Sequence, residues 1–517
     1  MAAENEESVL LGSASLLASQ GSVDQLAALL RAVVTEPLGL VRALASVGSV
    51  DRAVELVETA LTLGLPSDLT DRLRCLLVEL RLAGGEVDPA LDLAERILGE
   101  HSGAPSSVHA AVAAGRVFGR YARNAEEGRR HAETVLREHD GRIAGDAEVL
   151  AAATVLSDAV LSDGRVVEGL RLARAAVASA PDMPSPVWRA HLHLVLAERL
   201  VDAGAAEEAE RAVAAARESV GRTSGGGADM AFAHLRARLL SHQGRLAEAR
   251  DEAQKALSAA VGRGARIHVP PLLAALGQFA LRFGDVEGAA GFVRRCRKAL
   301  GELGGHLPSS AYDWVALQVA SARCGDRAAL ERMTRDYAAA NRRVALFARR
   351  PGAAAWFVRT ALAAGDPHWA AVAARTAARL AERNPGVPTL AAAALHADSL
   401  LRGDPDGLVR AATEHRHHWA RTTAAEDLTA LLDARSRRPA PTAKDEAGTG
   451  TPAEALSDVE RRVARLVGEG LTNQQVALRL RRSPHTVNYH LRNIFRKLDI
   501  GSRVELARQA HLWTAAR

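Results

Sequence analysis

The sequence predicts an all-α protein: a solenoid of helical hairpins, then a flexible linker, then a small basic helical bundle. Three observations lead there. Aromatic residues are only 3% of the 517, hydrophobic residues are 48%, and alanine is abundant. That balance suits closely packed helices better than sheets, which favour β-branched and aromatic side chains. A glycine followed by small or apolar residues at +5, +9 and +12 recurs along most of the chain. The charge is also uneven: residues 456–517 carry a net +7, and everything before them sums to −2.

The start of the chain, Met1 to Ser8, contains Glu4, Glu6 and Glu7 where a secretion signal would be basic. No apolar run approaches the length of a membrane span, so a cytoplasmic protein without membrane contact is expected. Three scattered cysteines, Cys75, Cys296 and Cys324, make neither a disulfide framework nor a zinc ligand set. The bias of 62 arginines against four lysines reads, with the alanine excess, as the codon composition of a GC-rich bacterial genome and not as a functional signal.

The repeat occupies residues 1–435. Copies read Gly48, Ala53, Val57, Ala60; then Gly85, Ala90, Ala94, Ile97; then Gly164, Gly169, Ala173, Ala176. They continue with Gly204, Ala209, Val213, Ala216; Gly244, Ala249, Ala253, Ala256; Gly284, Ala289, Val293, Cys296; and Gly365, Ala370, Ala374, Ala377. Weaker copies begin near Asn124 and at Gly325 and Gly403, so that starts fall about 40 residues apart. Steps of four and three place the small residues on one helical stripe, where a neighbouring helix can approach closely. The glycine sits in the turn between two helices, where positive φ costs it little. One hairpin cannot bury its apolar face alone, so the hairpins must stack. The unit resembles tetratricopeptide hairpins with each helix about a turn longer; HEAT-like hairpins, which share the length, are the alternative.

This periodicity assigns Cys296 to a packing position and Cys324 to the residue before a turn, neither as a functional thiol. Glu414, His415, His417 and His418 are expected on a solvated helix face, because a metal site would need further ligands. Gly225, Gly226 and Gly227 lack a following Lys and Ser/Thr and read as a loop between helices. No metal and no cofactor are expected. After Leu432 the pattern stops, and residues 436–455, rich in Pro, Gly, Thr, Ala and mixed charge, read as a flexible tether. As a random coil it would span about 25 Å.

Residues 456–517 read as four short helices. Ser457 caps the first, and Glu460 completes a capping box, with Val459, Val463, Leu466 and Val467 as its apolar stripe. Gly468 and Gly470 end it. Thr472 caps the second, whose Val476, Ala477 and Leu480 face inward. Pro484 opens the third, which runs to about Leu498 with Val487, Leu491, Ile494, Phe495 and Leu498 inward. Asn488, Tyr489, Arg492, Asn493 and Arg496 are left outside. Ser502 opens the fourth, through Leu506, Ala510 and Trp513. No acidic residue interrupts Gly470 to Leu498, although Arg479, Arg481, Arg482, Arg492, Arg496 and Lys497 fall there. A compact basic module on a near-neutral body is the footprint of nucleic-acid binding.

These residues carry a resemblance. Glu460, Gly470-Leu471-Thr472-Asn473, Thr486-Val487, His490-Leu491, Asn493-Ile494, Lys497-Leu498 and Ser502-Arg503 resemble the LuxR-type helix-turn-helix DNA-binding domain. Solenoid and module together resemble the C-terminal half of the large ATP-binding LuxR regulators, whose nucleotide-binding domain has no counterpart in these residues. An ATPase domain encoded upstream of Met1 is a further possibility. The resemblance implies that the third helix enters the major groove of double-stranded DNA, with Asn488, Tyr489 and Arg492 on bases. It assigns phosphates to Thr472, Asn473, Ser483, His485, Thr486, Arg496 and Lys497. It also implies a homodimer, with Val504, Ala507 and Trp513 in the contact, and RNA polymerase as a partner. Two positions depart from the family pattern: Asn488 stands where Lys is frequent, and Asp499 where Gly is usual.

The sequence holds no GxxxxGK[ST], HExxH, GxSxG or GxGxxG motif, so catalysis has no foothold and the protein is not expected to be an enzyme. The expected function is a sequence-specific transcriptional activator, its solenoid receiving a small-molecule or protein signal. By resemblance it would control a pathway-specific, secondary-metabolite gene cluster. The alternative is an interaction scaffold with non-specific nucleic-acid binding.

Overall fold

A computed structural model describes residues 50–62, 67–100, 107–143, 145–183, 185–220, 227–304, 310–436, 456–471, 473–480, 484–498, 500 and 505–506. All regular structure among the described residues is helical, as expected. The first helices are α1 (Val50–Leu61), α2 (Ser67–Gly84), α3 (Val87–Glu100), α4 (Ser107–Arg123), α5 (Ala125–Glu138), α6 (Ala147–Ser162) and α7 (Val166–Ala178). They are followed by α8 (Pro186–Asp202), α9 (Ala206–Val220), α10 (Gly227–His242), α11 (Leu246–Gly262), α12 (Val269–Arg282) and α13 (Val286–Glu302). Then come α14 (Ser310–Asp336), α15 (Ala340–Arg349), α16 (Ala353–Ala363), α17 (Pro367–Arg383), α18 (Pro388–Arg402), α19 (Pro405–Glu414) and α20 (His418–Ser436). The terminal module contributes α21 (Asp458–Gly468), α22 (Asn473–Leu480) and α23 (Pro484–Leu498). Of the expected linker only Ser436 lies among the described residues.

The repeat motif becomes tetratricopeptide-like hairpins, with neighbouring helices packed in sequence. Gly85, Gly164, Gly204, Gly244, Gly284, Gly365 and Gly403 all have φ between 63° and 85° and join the helices of successive pairs. The residue after each glycine donates back across the turn, as in Glu86 N to Arg81 O and Arg165 N to Val160 O. That six-to-one bond is the Schellman closure, which needs a left-handed residue at the glycine. Gly325 (φ 84°, ψ 173°) interrupts α14 with a kink. Asn124 is the exception: its φ is −151°, and its side chain caps α5 by accepting from the backbone N–H groups of Glu126 and Glu127.

The small residues do what the stripe requires. Ala90, Ala94, Ala209, Ala216, Ala249, Ala253, Ala289, Cys296 and Ala370 are fully buried, while Val213 and Val293 are half-buried. Gly128 shows the constraint at its tightest, because a Cβ there would lie 2.4 Å from Tyr121 Cα. Backbone cannot yield as a flexible side chain does, so Gly128→Ala is expected to destabilise the chain by about 2–3 kcal/mol, read as a lowered thermal midpoint. An unchanged midpoint would contradict the packing described for α4 and α5.

The solenoid also closes on itself. Asn384 Nδ2 donates to Gly164 O at 2.8 Å, and Asn384 Oδ1 accepts from Val167 N. Thr389 Oγ1 donates to Ala203 O, and Arg266 Nε donates to Gly84 O at 2.8 Å. Each contact bridges a hairpin turn to a residue roughly five repeats away, so successive superhelical turns touch. The turn carbonyls, which α-helical hairpins leave without partners, are satisfied in this way. The module has its own core of Leu456, Val463, Leu466, Val467, Val476, Val487, Leu491, Ile494 and Leu506.

Candidate nucleic-acid interface and solenoid chamber

The module is built as its sequence pattern requires. Ser457 and Glu460 form the reciprocal capping box at the start of α21. Val487, Leu491 and Ile494 are buried on one face of α23, while Phe495 and Leu498 are half-buried. At helical spacing, His485, Tyr489, Arg492 and Arg496 fall on another face of the same helix. The side chains of Asn488, Tyr489, Arg492, His485 and Arg496, and the whole of Thr472 and Ser483, lie outside the described residues, as do Val504, Ala507 and Trp513. Asn473 and Asn493 are half-buried.

Two expected phosphate contacts have protein partners here. Lys497 Nζ lies 2.6 Å from Glu460 Oε2, whose side chain is 0% exposed. Burial opposes ionisation of Glu460, but the Lys497 ammonium and the Ser457 backbone N–H outweigh it and hold the carboxyl below its ordinary range. Lys497 therefore ties α23 to α21. Thr486 is 7% exposed, and its hydroxyl donates to Glu426 Oε1 of α20 at 2.6 Å. Helix α23 also packs against α12.

Residues 454–510 match the family model described as bacterial regulatory proteins, luxR family (GerE). The C-terminal module is a LuxR-family helix-turn-helix domain. A Mycobacterium bovis chain named as an HTH-type transcriptional regulator is 48% identical over 56 residues, which are 11% of this chain and 6% of that protein. A nitrate/nitrite response regulator homolog of Haemophilus influenzae is 45% identical over 53 residues, 10% of this chain and 26% of that one. The chain thus covers a small part of the length of these relatives, and the shared part is the LuxR-family module. The solved Rap protein in complex with competence and sporulation factor aligns with 72% of this chain and 99% of its own, at 14% identity and a TM-score of 0.42.

Ahead of the LuxR-family module, the solenoid forms two partly open chambers that sequence patterning did not reveal. One, of about 290 Å³, is lined by Arg238, Arg282, Arg350, Trp314, Trp356 and Trp419 among others. The other, of about 1200 Å³, is lined by Tyr121, Asp158, His191, Arg199 and Asp313 among others. Arg349 lines both. Asp158 accepts from the Tyr121 hydroxyl and from the guanidiniums of Arg199 and Arg349. Burial opposes its charge, yet the two arginines hold its carboxyl well below the usual range.

The expected solvated helix face at Glu414–His418 holds at Glu414 and His418, which are exposed, and fails at His415 and His417. Helix α19 ends at Glu414 and α20 begins at His418; between them His415 is buried, Arg416 is exposed and His417 is half-buried. His415 is 5% exposed and its Nε2 lies 3.2 Å from His396 Nδ1. His396 Nε2 in turn lies 2.9 Å from Asp427 Oδ2. The rings of His417 and His242 meet at 3.9 Å, tilted by 45°. Among the described residues no group of His, Cys, Asp and Glu is arranged to hold a metal ion. No described helix is long and apolar enough to cross a membrane. Cys296 is buried, with Sγ near Pro270 O, and burial pushes its thiol up to about 12.

Burial lowers the chamber histidines to about 3 for His234, His242 and His415, and to about 4 for His191 and His268. They stay neutral in the folded chain, whereas in the unfolded chain they titrate near 6.5. Below pH 6.5 the unfolded state takes up protons that the folded state refuses, so stability falls with pH through the window from 6.5 towards 3–4. The slope approaches about 1.4 kcal/mol per pH unit for each fully buried histidine, less for those facing chamber water. A thermal midpoint that is level from pH 8 to 7 and drops steeply by pH 5 is the expected result. A level midpoint down to pH 5 would contradict the assignment.

Proposed function

We propose that this chain is a sequence-specific DNA-binding transcriptional regulator, and the match of residues 454–510 to the LuxR family carries that reading. The net +7 of residues 456–517 supports it, since phosphate neutralisation supplies most of the affinity of such modules. In this reading Asn488, Tyr489 and Arg492 reach base edges from α23, and Thr472, Asn473, Ser483, His485, Thr486 and Arg496 position the backbone. Lys497 acts mainly through Glu460, by fixing the angle of α23. Thr486 must exchange Glu426 for a phosphate when DNA binds. The terminal module works as a unit separate from the solenoid of residues 1–435, in keeping with its self-contained core. The finer assignment is an activator, homodimeric on a pseudo-palindromic site, that contacts RNA polymerase and serves one biosynthetic gene cluster. The solenoid receives the signal, and no catalytic step is assigned to it.

The test is the salt dependence of full-length chain binding to a random-sequence duplex. The account expects log affinity to fall linearly with log salt, with a slope set by about 0.9 per neutralised phosphate. Absence of binding even at low salt would remove the DNA-binding reading.

A further inference from the structure

Arg282, at the end of α12, differs from the other guanidiniums of the smaller chamber. Arg349 is paired with Asp158 and Arg359 with Asp427. Arg238 and Arg350 share the single carboxylate of Asp202. Arg282 has no carboxylate partner among the described residues. One of its terminal nitrogens donates to Ser241 Oγ, and its guanidinium lies over the Trp419 ring at 5.0 Å. Its Nε is buried without a hydrogen-bond partner. Buried cations are normally paired, because an unpaired one is costly to remove from water. Burial and the neighbouring Arg350 lower Arg282 to about 9, which is the mark of a cation without its counter-charge.

The walls of the chamber define the rest of the ligand. Trp314 and Trp356 meet edge to face at 5.2 Å, and Trp419 stands at the start of α20. Flat aromatic surface flanks the guanidiniums, and His242 and His417 beside them are neutral, adding hydrogen-bonding capacity without charge. A volume of about 290 Å³ suits a molecule of one or two rings.

We propose that the smaller chamber binds a small organic anion bearing an aromatic ring, its carboxylate or phosphate on Arg282 and Arg350 and its ring against Trp356 and Trp419. The guanidinium fork matches either oxyanion. The inference deepens the reading of the solenoid as the part that receives a signal. It also offers a route to DNA, because α12 and α20, which supply Arg282 and Trp419, are solenoid helices that touch α23. A ligand that favours one arrangement of these two helices is thermodynamically linked to DNA affinity.

The experiment is calorimetric titration of the full-length chain, without DNA, with benzoate, indole-3-acetate and phenyl phosphate, using benzyl alcohol and acetate as controls. At least one aromatic anion is expected to bind one to one, at least tenfold more tightly than either control. Arg282→Met should lose that binding at least tenfold while keeping the thermal midpoint close to that of the parent, since it removes a charge that no described carboxylate balances. Trp356→Phe should weaken it several-fold and serves if the arginine variant does not fold. Failure of every aromatic anion to bind, or equal binding of benzyl alcohol, would overturn the proposal. The titration contains no DNA, so its outcome is independent of whether the LuxR-family module binds DNA.

Discussion

Replacing Asp158 by alanine is expected to destabilise the solenoid by about 3–5 kcal/mol, a fall in thermal midpoint of about 4–6 °C. Among the described residues Asp158 is the carboxylate that pairs directly with Arg349, and it also holds Arg199, whose side chain is 5% exposed. Alanine leaves Arg349 with no carboxylate in direct contact among the described residues and Arg199 with only Glu198 at 3.6 Å, and it frees the Tyr121 hydroxyl. The loss comes from the desolvation of what remains and not from the attraction removed, which explains its size. The residues involved lie 191 positions apart in sequence, so the substitution also uncouples two superhelical turns. Asp51→Ala is the control: its pair with Arg266 is exposed on both sides, and its removal should cost less than about 1 kcal/mol. Equal effects of the two substitutions in thermal or denaturant unfolding would contradict the role given to burial.

Arg492→Ala is expected to cut discrimination between target and random DNA sharply. A bidentate arginine–guanine contact supplies about 1–3 kcal/mol of base discrimination, roughly 5- to 150-fold in affinity for the target. The same substitution removes only one charge from the non-specific term, so binding to random duplex should weaken slightly and lose about one unit of salt slope. Competition of labelled target against random duplex measures the ratio directly. A variant that discriminates as well as the parent would remove Arg492 from the base contacts.

The fold was legible because each hairpin repeats one local demand. Small residues at +5, +9 and +12 and a left-handed residue at the turn are conditions set within about 40 residues, and Gly164 with Gly169, Ala173 and Ala176 states all of them. The module was legible for the same reason: Ser457 with Glu460, and Val487 with Leu491 and Ile494, are short-range patterns. The chambers were not, because they exist only once the solenoid has wound far enough for Arg349 to reach Asp158 and Asn384 to reach Gly164. No local spacing encodes that return. His415 and His417 gave no such sign, because histidine next to charged residues does not announce its direction, and the break between α19 and α20 turns these two side chains inward while Arg416 stays exposed. Lys497 read as a surface cation; only the approach of α23 to α21 reveals that its partner is the buried Glu460. Cys296, by contrast, was placed correctly as a packing residue, because its position in the repeat determined its environment.

The claim that the chain reads DNA sequence is tested most directly by genome-wide binding of the purified full-length chain to sheared DNA from its own source, at physiological salt. The account predicts a few sharp peaks sharing a short palindrome, which would also name the controlled genes. Uniform binding that fades as salt rises would mean backbone contacts alone, and would contradict a regulator that recognises sequence.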